Sequence, residues 1–321
     1  MALLKFNKRA KTENETGLSS SSVMNGGRFF NKNGTSNIQV EGMSFFERLN
    51  IYHALLSMKR RKFILLILIF FILVNLFFAS LYLIIGIDHL QGLSGTSATD
   101  KFGEAFFFSA QTFTTVGYGR INPVGFWASL TAAFEALIGL MSFALATGLL
   151  YGRFSKPKAY IHYSKNAIFA PFKEGTALMF RMVPYTKNHL VNVEVKVTLV
   201  LRIMEDGIMK NKFFNVPLDI SKSITMTANW TLVHVINEDS PFYNLSKEDM
   251  SNAQAEVLIF VQGFDESFSN TVISRTSYSH DDFIYGAKFK PMFHPDANNT
   301  TTILHLDRLN DYEPAEINIQ F

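Results

Sequence analysis

Two long apolar segments constrain the fold of this chain more than any other feature of its sequence. Residues 63–87 contain no charged side chain, and only Asn75 and Ser80 are clearly polar. Residues 124–152 contain one acidic side chain, Glu135, and many small residues that allow helices to pack closely. Each segment exceeds the roughly 20 residues that a helix needs to cross a bilayer. We therefore predict two membrane-spanning helices.

Basic residues flank the two predicted spans at the ends that face away from their connecting linker. This excess of positive charge predicts that both chain ends lie in the cytoplasm and that the linker, residues 88–123, lies outside. The same basic residues are candidates for binding anionic lipid headgroups, although the topology rule alone would also account for them. They are Lys59, Arg60, Arg61, Arg153, Lys156 and Lys158.

The linker contains a segment, residues 102–114, that is apolar enough to enter the bilayer and too short to cross it, which predicts a re-entrant helix. It is followed by Thr115, Val116, Gly117, Tyr118 and Gly119. A backbone selects a dehydrated cation when consecutive carbonyl oxygens face one axis, and alternate residues then take conformations of opposite hand. Glycine takes both at little steric cost, so the alternate glycines favour such a filter over an ordinary strand and turn. Closing the cage requires several copies, which predicts a cyclic homotetramer with K⁺ at the carbonyl oxygens of residues 115–118.

The composition restricts what else the chain does. The sequence has no cysteine, which excludes disulfides, thiolate metal sites and a cysteine nucleophile. It has neither a glycine-rich phosphate loop nor a nucleophile motif, and its histidines have no metal-ligand spacing. An enzyme, a cofactor other than the permeant K⁺ and a nucleic-acid partner are therefore not expected.

The residues before the first span divide into a polar tail and an amphipathic helix. Residues 1–40 are rich in Ser, Asn, Gly and Lys and are predicted to be disordered. Ser44 and Glu47 form a capping-box pattern, which begins a helix. Apolar residues at helical spacing predict that this helix, within residues 41–61, lies in the membrane interface. A soluble helix packed on a cytoplasmic domain is the alternative.

Beyond the second span the sequence takes the period of β-strands, most clearly in residues 190–201. Many short strands separated by turn residues predict an antiparallel sandwich, and Ser246 with Asp249 predicts a short helix. The fold class is α+β, with a pore domain at residues 62–154 and a cytoplasmic β-sandwich at residues 155–321. The other predicted strands are residues 177–185, 224–236, 255–262, 271–278, 284–293 and 302–306.

Five blocks carry a resemblance to a known family: residues 52–56, 115–119, 147–157, 234–243 and 275–278. Together they resemble the inward-rectifier potassium channels of the prokaryotic KirBac type, from residue 44 to the C-terminus. The last two blocks are not shared with potassium channels in general, so they identify the family more sharply than the filter does. The resemblance implies a homotetramer in a bacterial inner membrane, with an immunoglobulin-like cytoplasmic sandwich that extends the pore inward.

The resemblance also implies two constrictions besides the filter. Phe143, Thr147 and Tyr151 are four residues apart and match the family's pore-lining stripe, with Tyr151 at the inner helix crossing. The alternative is that Phe143 and Tyr151 pack between helices. In the cytoplasmic domain, Glu266 would line a vestibule where cations collect. The loop that would narrow the path there is Ser267, Phe268, Ser269, Asn270 and Thr271.

Some positions depart from the family pattern. Arg120 replaces a common Asp and would place a ring of positive charge at the outer mouth, which should repel cations. Gln111 replaces a Glu behind the filter. Phe143 replaces the acidic residue that binds polyamines and Mg²⁺ in animal relatives, so weak rectification is expected. Glu135 is expected to face a polar cavity, a partner cation or a hydrogen bond that supports the filter, or to pack protonated between helices.

These observations predict an inward-rectifier-type potassium channel that is gated at the inner helix crossing and the cytoplasmic loop and modulated by anionic lipid. A weakly selective monovalent cation channel and a membrane-anchored β-sandwich binding protein are the alternatives. His234 is a candidate for sensing pH, but packing in a protein core is the favoured interpretation.

Overall fold

The structure, a computed structural model, describes residues 6–13, 17, 28–39, 41–42, 50–155, 158–185, 190–205 and 208–317. The chain divides into two compact units. Glu41–Lys156 form the first, the helical unit, and Met1–Val40 together with Pro157–Phe321 form the second, the β unit.

The helical unit contains two long helices with a shorter one between them in sequence. Its helices are α1, Ile51–Ser57; α2, Arg60–Ile85; α3, Ala98–Phe113; and α4, Phe126–Phe154. α2 and α4 are long and apolar enough to cross a membrane, and most of their side chains are exposed on the single chain. Because this exposed surface is apolar, lipid or other copies of the chain must cover it. The two predicted spans are confirmed.

Local sequence explains the limits of these helices. α3 begins earlier than predicted because Ser97 and Asp100 form a capping box. The Asn50 side chain caps α1, accepting a hydrogen bond from His53 N at 3.1 Å. The predicted cap at residues 44–47 lies outside the described residues. On either side of α3, β1 (Leu90–Gln91) pairs antiparallel with β2 (Asn122–Pro123).

The β unit is built around two five-stranded sheets. Its strands are β3, Ile161–Tyr163; β4, Ala167–Phe172; β5, Gly175–Pro184; β6, Leu190–Glu205; β7, Ile208–Asn215; β8, Lys222–Met226; β9, Trp230–Ile236; β10, Glu256–Asp265; β11, Asn270–Ser279; and β12, Phe283–Tyr285. One sheet has the order β11-β10-β6-β7, and β8 also pairs with β6. The other has the order β12-β4-β5-β3, and β9 also pairs with β5.

Smaller elements complete this unit. β13 (Ala287–Phe289) pairs with β16 (Tyr312–Pro314), and β14 (Phe293–Pro295) pairs with β15 (Thr302–Leu304). The short helix α5, Lys247–Asn252, begins at the predicted capping box of Ser246 and Asp249.

The main hydrophobic core lies between the two sheets. Alternate residues of β6, such as Val195 and Val197, pack in one cluster with Leu178 and Phe180 of β5. The opposite face of each strand points away from this cluster, as the period of two requires. The predicted β-sandwich is confirmed.

Several strands differ from the sequence prediction. The predicted strand 224–236 is two strands, β8 and β9, on opposite sheets. The predicted strand 284–293 is divided among three sheets, and Gly286, with a φ of 70°, lies at the first division. Apolar character continues across these turns, so hydropathy alone does not separate the strands.

The described part of the N-terminal tail is ordered against the β unit, which corrects the prediction of disorder there. Glu13 N donates to the Phe213 carbonyl at 2.9 Å, and Asn215 N donates to the Lys11 carbonyl at 3.0 Å. Residues 11–13 thus pair with the free edge of β7, and Phe29 of the second described segment is buried. A sheet edge offers unpaired backbone groups that composition does not report.

Candidate ion-conducting site

Residues 115–119 form a segment whose backbone alternates in hand. Thr115, Gly117 and Gly119 have φ values of 60°, 53° and 81°. The intervening residues, Val116 and Tyr118, have negative φ. Such alternation turns successive carbonyl oxygens toward one side. Thr115 is β-branched and therefore strained in this conformation, so the surrounding structure must hold it.

The carboxyl end of α3 holds the inner end of this segment. The Gln111 carbonyl accepts hydrogen bonds from Val116 N at 2.9 Å and Gly117 N at 3.4 Å. The Thr112 carbonyl accepts a hydrogen bond from Thr115 N at 3.0 Å. Gln111 therefore supports the segment through its backbone.

α4 approaches the end of α3 closely at Gly139. A Cβ added at Gly139 would overlap the backbone carbonyl of Phe113. The Phe113 ring packs edge to face on Phe71 of α2, with ring centroids 6.0 Å apart. The last turn of α3 is therefore held between both spans.

A polar network lies behind α3 among apolar side chains. Glu135 of α4 is fully buried, and its Oε2 accepts a hydrogen bond from the Tyr82 hydroxyl at 2.6 Å. The Ser109 hydroxyl of α3 contacts Oε1 of Glu135 and lies 2.9 Å from Oδ1 of Asn75. Glu135 thus bonds to the helix that carries the filter segment, and the described part of the chain offers it no partner cation.

At the outer end of the segment, Arg120 forms an ion pair. Its Nη2 lies 2.8 Å from Oε1 of Glu104 in α3, and its Nη1 lies 3.3 Å from Oγ of Ser94. Glu104 also accepts hydrogen bonds from the Ser94 hydroxyl at 2.8 Å, Ser94 N at 2.9 Å and Gly95 N at 3.1 Å. These bonds, that of the Ser94 hydroxyl foremost, lower the pKa of Glu104 to about 2. The charge predicted at the outer mouth is therefore paired, because the Arg120 guanidinium faces a carboxylate of the same chain.

Phe143, Thr147 and Tyr151 lie on one exposed face of α4. Phe143 and Tyr151 each have 73% of their surface exposed, and the Thr147 hydroxyl donates to the Phe143 carbonyl at 2.9 Å. Neither ring is buried by the described part of its own chain. Both are therefore available to line a pore or to contact another copy.

Arg153, at the end of α4, binds α1. Its Nη1 donates to the Leu55 carbonyl, and its Nη2 donates to the Met58 carbonyl at 2.5 Å. Its guanidinium also lies 4.4 Å from the ring centroid of Phe63. The carbonyls at the end of a helix lack partners within it, so Arg153 satisfies groups that α1 leaves free.

The other basic lipid candidates have fewer protein contacts. The Arg60 guanidinium lies 5.6 Å from an aromatic ring centroid of α4. Lys59 and Arg61 in the helical unit are exposed, and Lys158 in the β unit is exposed. Lys156 lies outside the described residues.

The proposed cytoplasmic gate loop is the turn between β10 and β11. Oδ1 of the buried Asp265 accepts hydrogen bonds from Ser267 N at 2.9 Å and Phe268 N at 3.2 Å. Ser269 has a φ of 48°, and residues 266–269 are exposed. The predicted loop residues Asn270 and Thr271 instead begin β11.

His234 lies in a core. Its Nδ1 lies 2.6 Å from the Pro217 carbonyl, and its Nε2 lies 2.8 Å from Oγ of Ser240. Burial lowers the pKa of His234 to about 4. These contacts agree with the core interpretation rather than with pH sensing near neutrality.

Sequence reasoning missed three residues of the helical unit that bind Glu135 or Arg120: Tyr82, Ser109 and Glu104. In the β unit it missed Asp265, which holds the turn after β10. Their available signal was a polar or charged group inside an apolar segment, which must find a partner when buried. Among the residues that the structure describes, no group of three or more His, Asp or Glu side chains could hold a metal ion.

The chain is similar in sequence to known ion channels. The family described as "Inward rectifier potassium channel C-terminal domain" matches residues 161–314, and that described as "Ion channel" matches residues 64–156. The inward rectifier potassium channel Kirbac3.1 of Paramagnetospirillum magnetotacticum is 33% identical over 268 residues, which cover 83% of this chain and 89% of that protein. The ATP-sensitive inward rectifier potassium channel 12 of Gallus gallus is 25% identical over 293 residues, covering 84% and 68%. Among solved structures, the sporulation control protein Spo0M of Bacillus subtilis has a TM-score of 0.23 at 9% identity, covering 40% of this chain and 50% of that one, which is too low to indicate a shared fold.

Proposed function

This chain belongs to the inward-rectifier potassium channel family, and from that premise we propose that four copies form a K⁺-selective pore. The family consists of ion channels and not of enzymes. The observation that carries the proposal is the alternating backbone hand at Thr115, Gly117 and Gly119 after a re-entrant helix. It supplies one wall of a carbonyl cage, and K⁺ is the only ion or cofactor that the cage requires.

The exposed surface of the spans supports assembly into a homotetramer. α2 and α4 leave apolar side chains uncovered on all but a small part of their length. Copies related by rotation about an axis through the filter cover part of this surface. They also supply the other carbonyl oxygens of each ring around that axis. Lipid covers the rest, with both termini in the cytoplasm and the protein in a bacterial inner membrane.

Two gates lie along the proposed path. At the inner helix crossing, one Tyr151 from each copy narrows the pore enough to expel water. The exposed turn at residues 266–269, held from behind by Asp265, forms the second. Glu266 at this turn attracts cations to the vestibule.

Anionic lipid is the proposed modulator of these gates. Lys59 and Arg61 are exposed next to the first span, where a headgroup is within reach. Arg153 acts within the protein, because both of its terminal nitrogens donate to carbonyls of the same chain.

The test is the reversal potential of the purified protein in planar bilayers with opposed K⁺ and Na⁺ gradients. The filter proposal is supported if the reversal potential follows the K⁺ gradient and if Gly117→Asp abolishes the current. Comparable Na⁺ current would mean a weakly selective cation channel. Monomeric behaviour in detergent without current in any lipid composition would favour a membrane-anchored binding protein.

A further inference from the structure

We propose that the Glu104–Arg120 ion pair is the outer support of the selectivity filter and neutralises the outer mouth, which makes both residues positioning residues for K⁺ conduction. The inference rests on the proposed function, because it assigns these residues a role in the same pore. Neither residue touches the conducted ion in this arrangement. They act through the backbone of Gly119, which Arg120 follows directly.

The backbone of Arg120 is fixed by the linker that precedes α3. In the β1–β2 ladder, Gln91 pairs with Asn122 and Leu90 pairs with Pro123. Gly92 lies so close that an added Cβ would overlap the Arg120 carbonyl, and its φ of 91° also favours glycine. The side chain of Arg120 is then the remaining free part of this residue.

Glu104 binds that side chain, and the position of its carboxylate is fixed by hydrogen bonds that do not involve Arg120. Its carboxylate accepts three hydrogen bonds from Ser94 and Gly95, and only 15% of the side chain is exposed. A carboxylate already fixed by neutral donors loses little freedom when it binds a guanidinium, so the pair is favourable although Arg120 itself is 60% exposed.

α3 thereby holds both ends of the filter. Glu104 binds the outer end through Arg120, and the Gln111 carbonyl binds the inner end through Val116 N. Residues 104 and 111 are about two helical turns apart, so they lie on the same side of α3. A single rigid helix therefore sets the length of the segment between its two attachments.

The pair also sets the charge at the mouth of the pore. Gln111 supplies no carboxylate behind the filter, and Glu104 supplies one about two turns earlier in the same helix. Without it, a tetramer would present four unpaired guanidinium groups to arriving cations. Repulsion between exposed charges is screened over about 10 Å at 0.1 M salt. The repulsion of arriving cations is therefore expected to be strong only at low ionic strength.

The experiment separates the two roles with Glu104→Gln, Arg120→Gln and the double variant. Planar-bilayer recordings give the inward K⁺ conductance at low and high ionic strength, and reversal potentials give the K⁺ to Na⁺ permeability ratio. Asp88→Asn, which removes an exposed acidic residue of the same linker, is the matched control.

We expect Glu104→Gln to lower the inward conductance severalfold at low salt, with recovery at high salt, and to lower the permeability ratio. The double variant should regain conductance at low salt, because the charge is gone, but keep the reduced permeability ratio, because the support is gone. Asp88→Asn should resemble the wild type. Wild-type conductance and selectivity in Glu104→Gln would overturn the inference while leaving the proposed function intact.

A second readout does not require an open gate. K⁺ bound in the filter raises the unfolding temperature of the protein relative to Na⁺, since a ligand that binds the native state stabilises it. Glu104→Gln and Arg120→Gln should reduce this K⁺-dependent rise, and Asp88→Asn should not. If the wild type shows no K⁺-dependent rise and no current, the proposed function fails. If the rise is the same in wild type and both variants, only the inference fails.

Discussion

Gly139 is a residue at which α4 closely approaches the end of α3. Because an added Cβ would overlap the Phe113 carbonyl, we expect Gly139→Ala to destabilise the protein by about 1–3 kcal/mol, the usual effect of overpacking, and to displace the filter. Thermal unfolding and K⁺ flux into liposomes measure the two effects. Gly148→Ala in the same helix is the control, because nothing of the chain lies within 4 Å of its added Cβ. Equal behaviour of the two variants would contradict the prediction.

His234 makes the stability of the β unit depend on pH. Burial lowers its pKa from 6.5 to about 4, so the unfolded state binds the proton first as the pH falls. The free energy of unfolding is therefore highest above pH 6.5. It falls by roughly 3 kcal/mol as the pH decreases from 6.5 to about 4.

Chemical denaturation over this pH range measures the effect, with Trp230 fluorescence as the probe in a Trp127→Phe background. His234→Asn removes the titrating group, and its stability should therefore vary less with pH than that of the wild type. Parallel pH profiles for the two proteins would show that other groups account for the dependence.

Between elements, Arg153 joins α1 to the end of α4. We expect Arg153→Gln to loosen α1, because a glutamine is too short to donate to the Leu55 and Met58 carbonyls together. Hydrogen–deuterium exchange in residues 51–57 should become severalfold faster. The control is Arg61→Gln, an exposed basic residue in α2, which should leave this exchange unchanged and weaken binding to anionic vesicles. Weaker vesicle binding in Arg153→Gln without faster exchange would make Arg153 a lipid ligand.

Some helices and strands can be predicted from sequence, and others cannot. α2, α4 and β6 have a length or period that only one structure satisfies, and they lie close to their predicted limits. β4 was missed because most of its residues are buried, so it does not alternate. β7 was missed because its lysine and asparagine residues resemble those of a loop.

Some features of the candidate site can likewise be predicted from sequence, and others cannot. The alternation of hand at residues 115–119 agrees with the spacing of Gly117 and Gly119, since that property is local to the segment. The hydrogen bond from Tyr82 to Glu135 joins α2 to α4, and the ion pair of Arg120 with Glu104 joins the residue after Gly119 to α3. Their formation depends on how α2, α3 and α4 pack, which spacing along one segment does not determine.

For the whole assembly, we propose that Phe143 determines how strongly internal cations block the pore. A ring of carboxylates at this position would attract a polyvalent cation from the cell interior, whereas a ring of phenyl groups does not. Phe143→Asp is therefore expected to introduce block by internal spermine that steepens with voltage, because the blocker moves charge through the membrane field at about 2.3 kcal/mol per charge per 100 mV.

Currents from excised patches with spermine applied to the intracellular face of the membrane measure this block. Phe143→Asn is the matched control, because it has nearly the size and polarity of Asp without its charge, and it should remain weakly blocked. Steep block of the wild type by micromolar spermine would contradict the prediction and would move the blocking site to acids such as Glu266, which is exposed in the turn after β10. Weak block in both Phe143→Asp and the wild type would instead mean that this face of α4 does not line the pore, since a carboxylate inside a narrow cation path cannot be without effect on a polyvalent blocker.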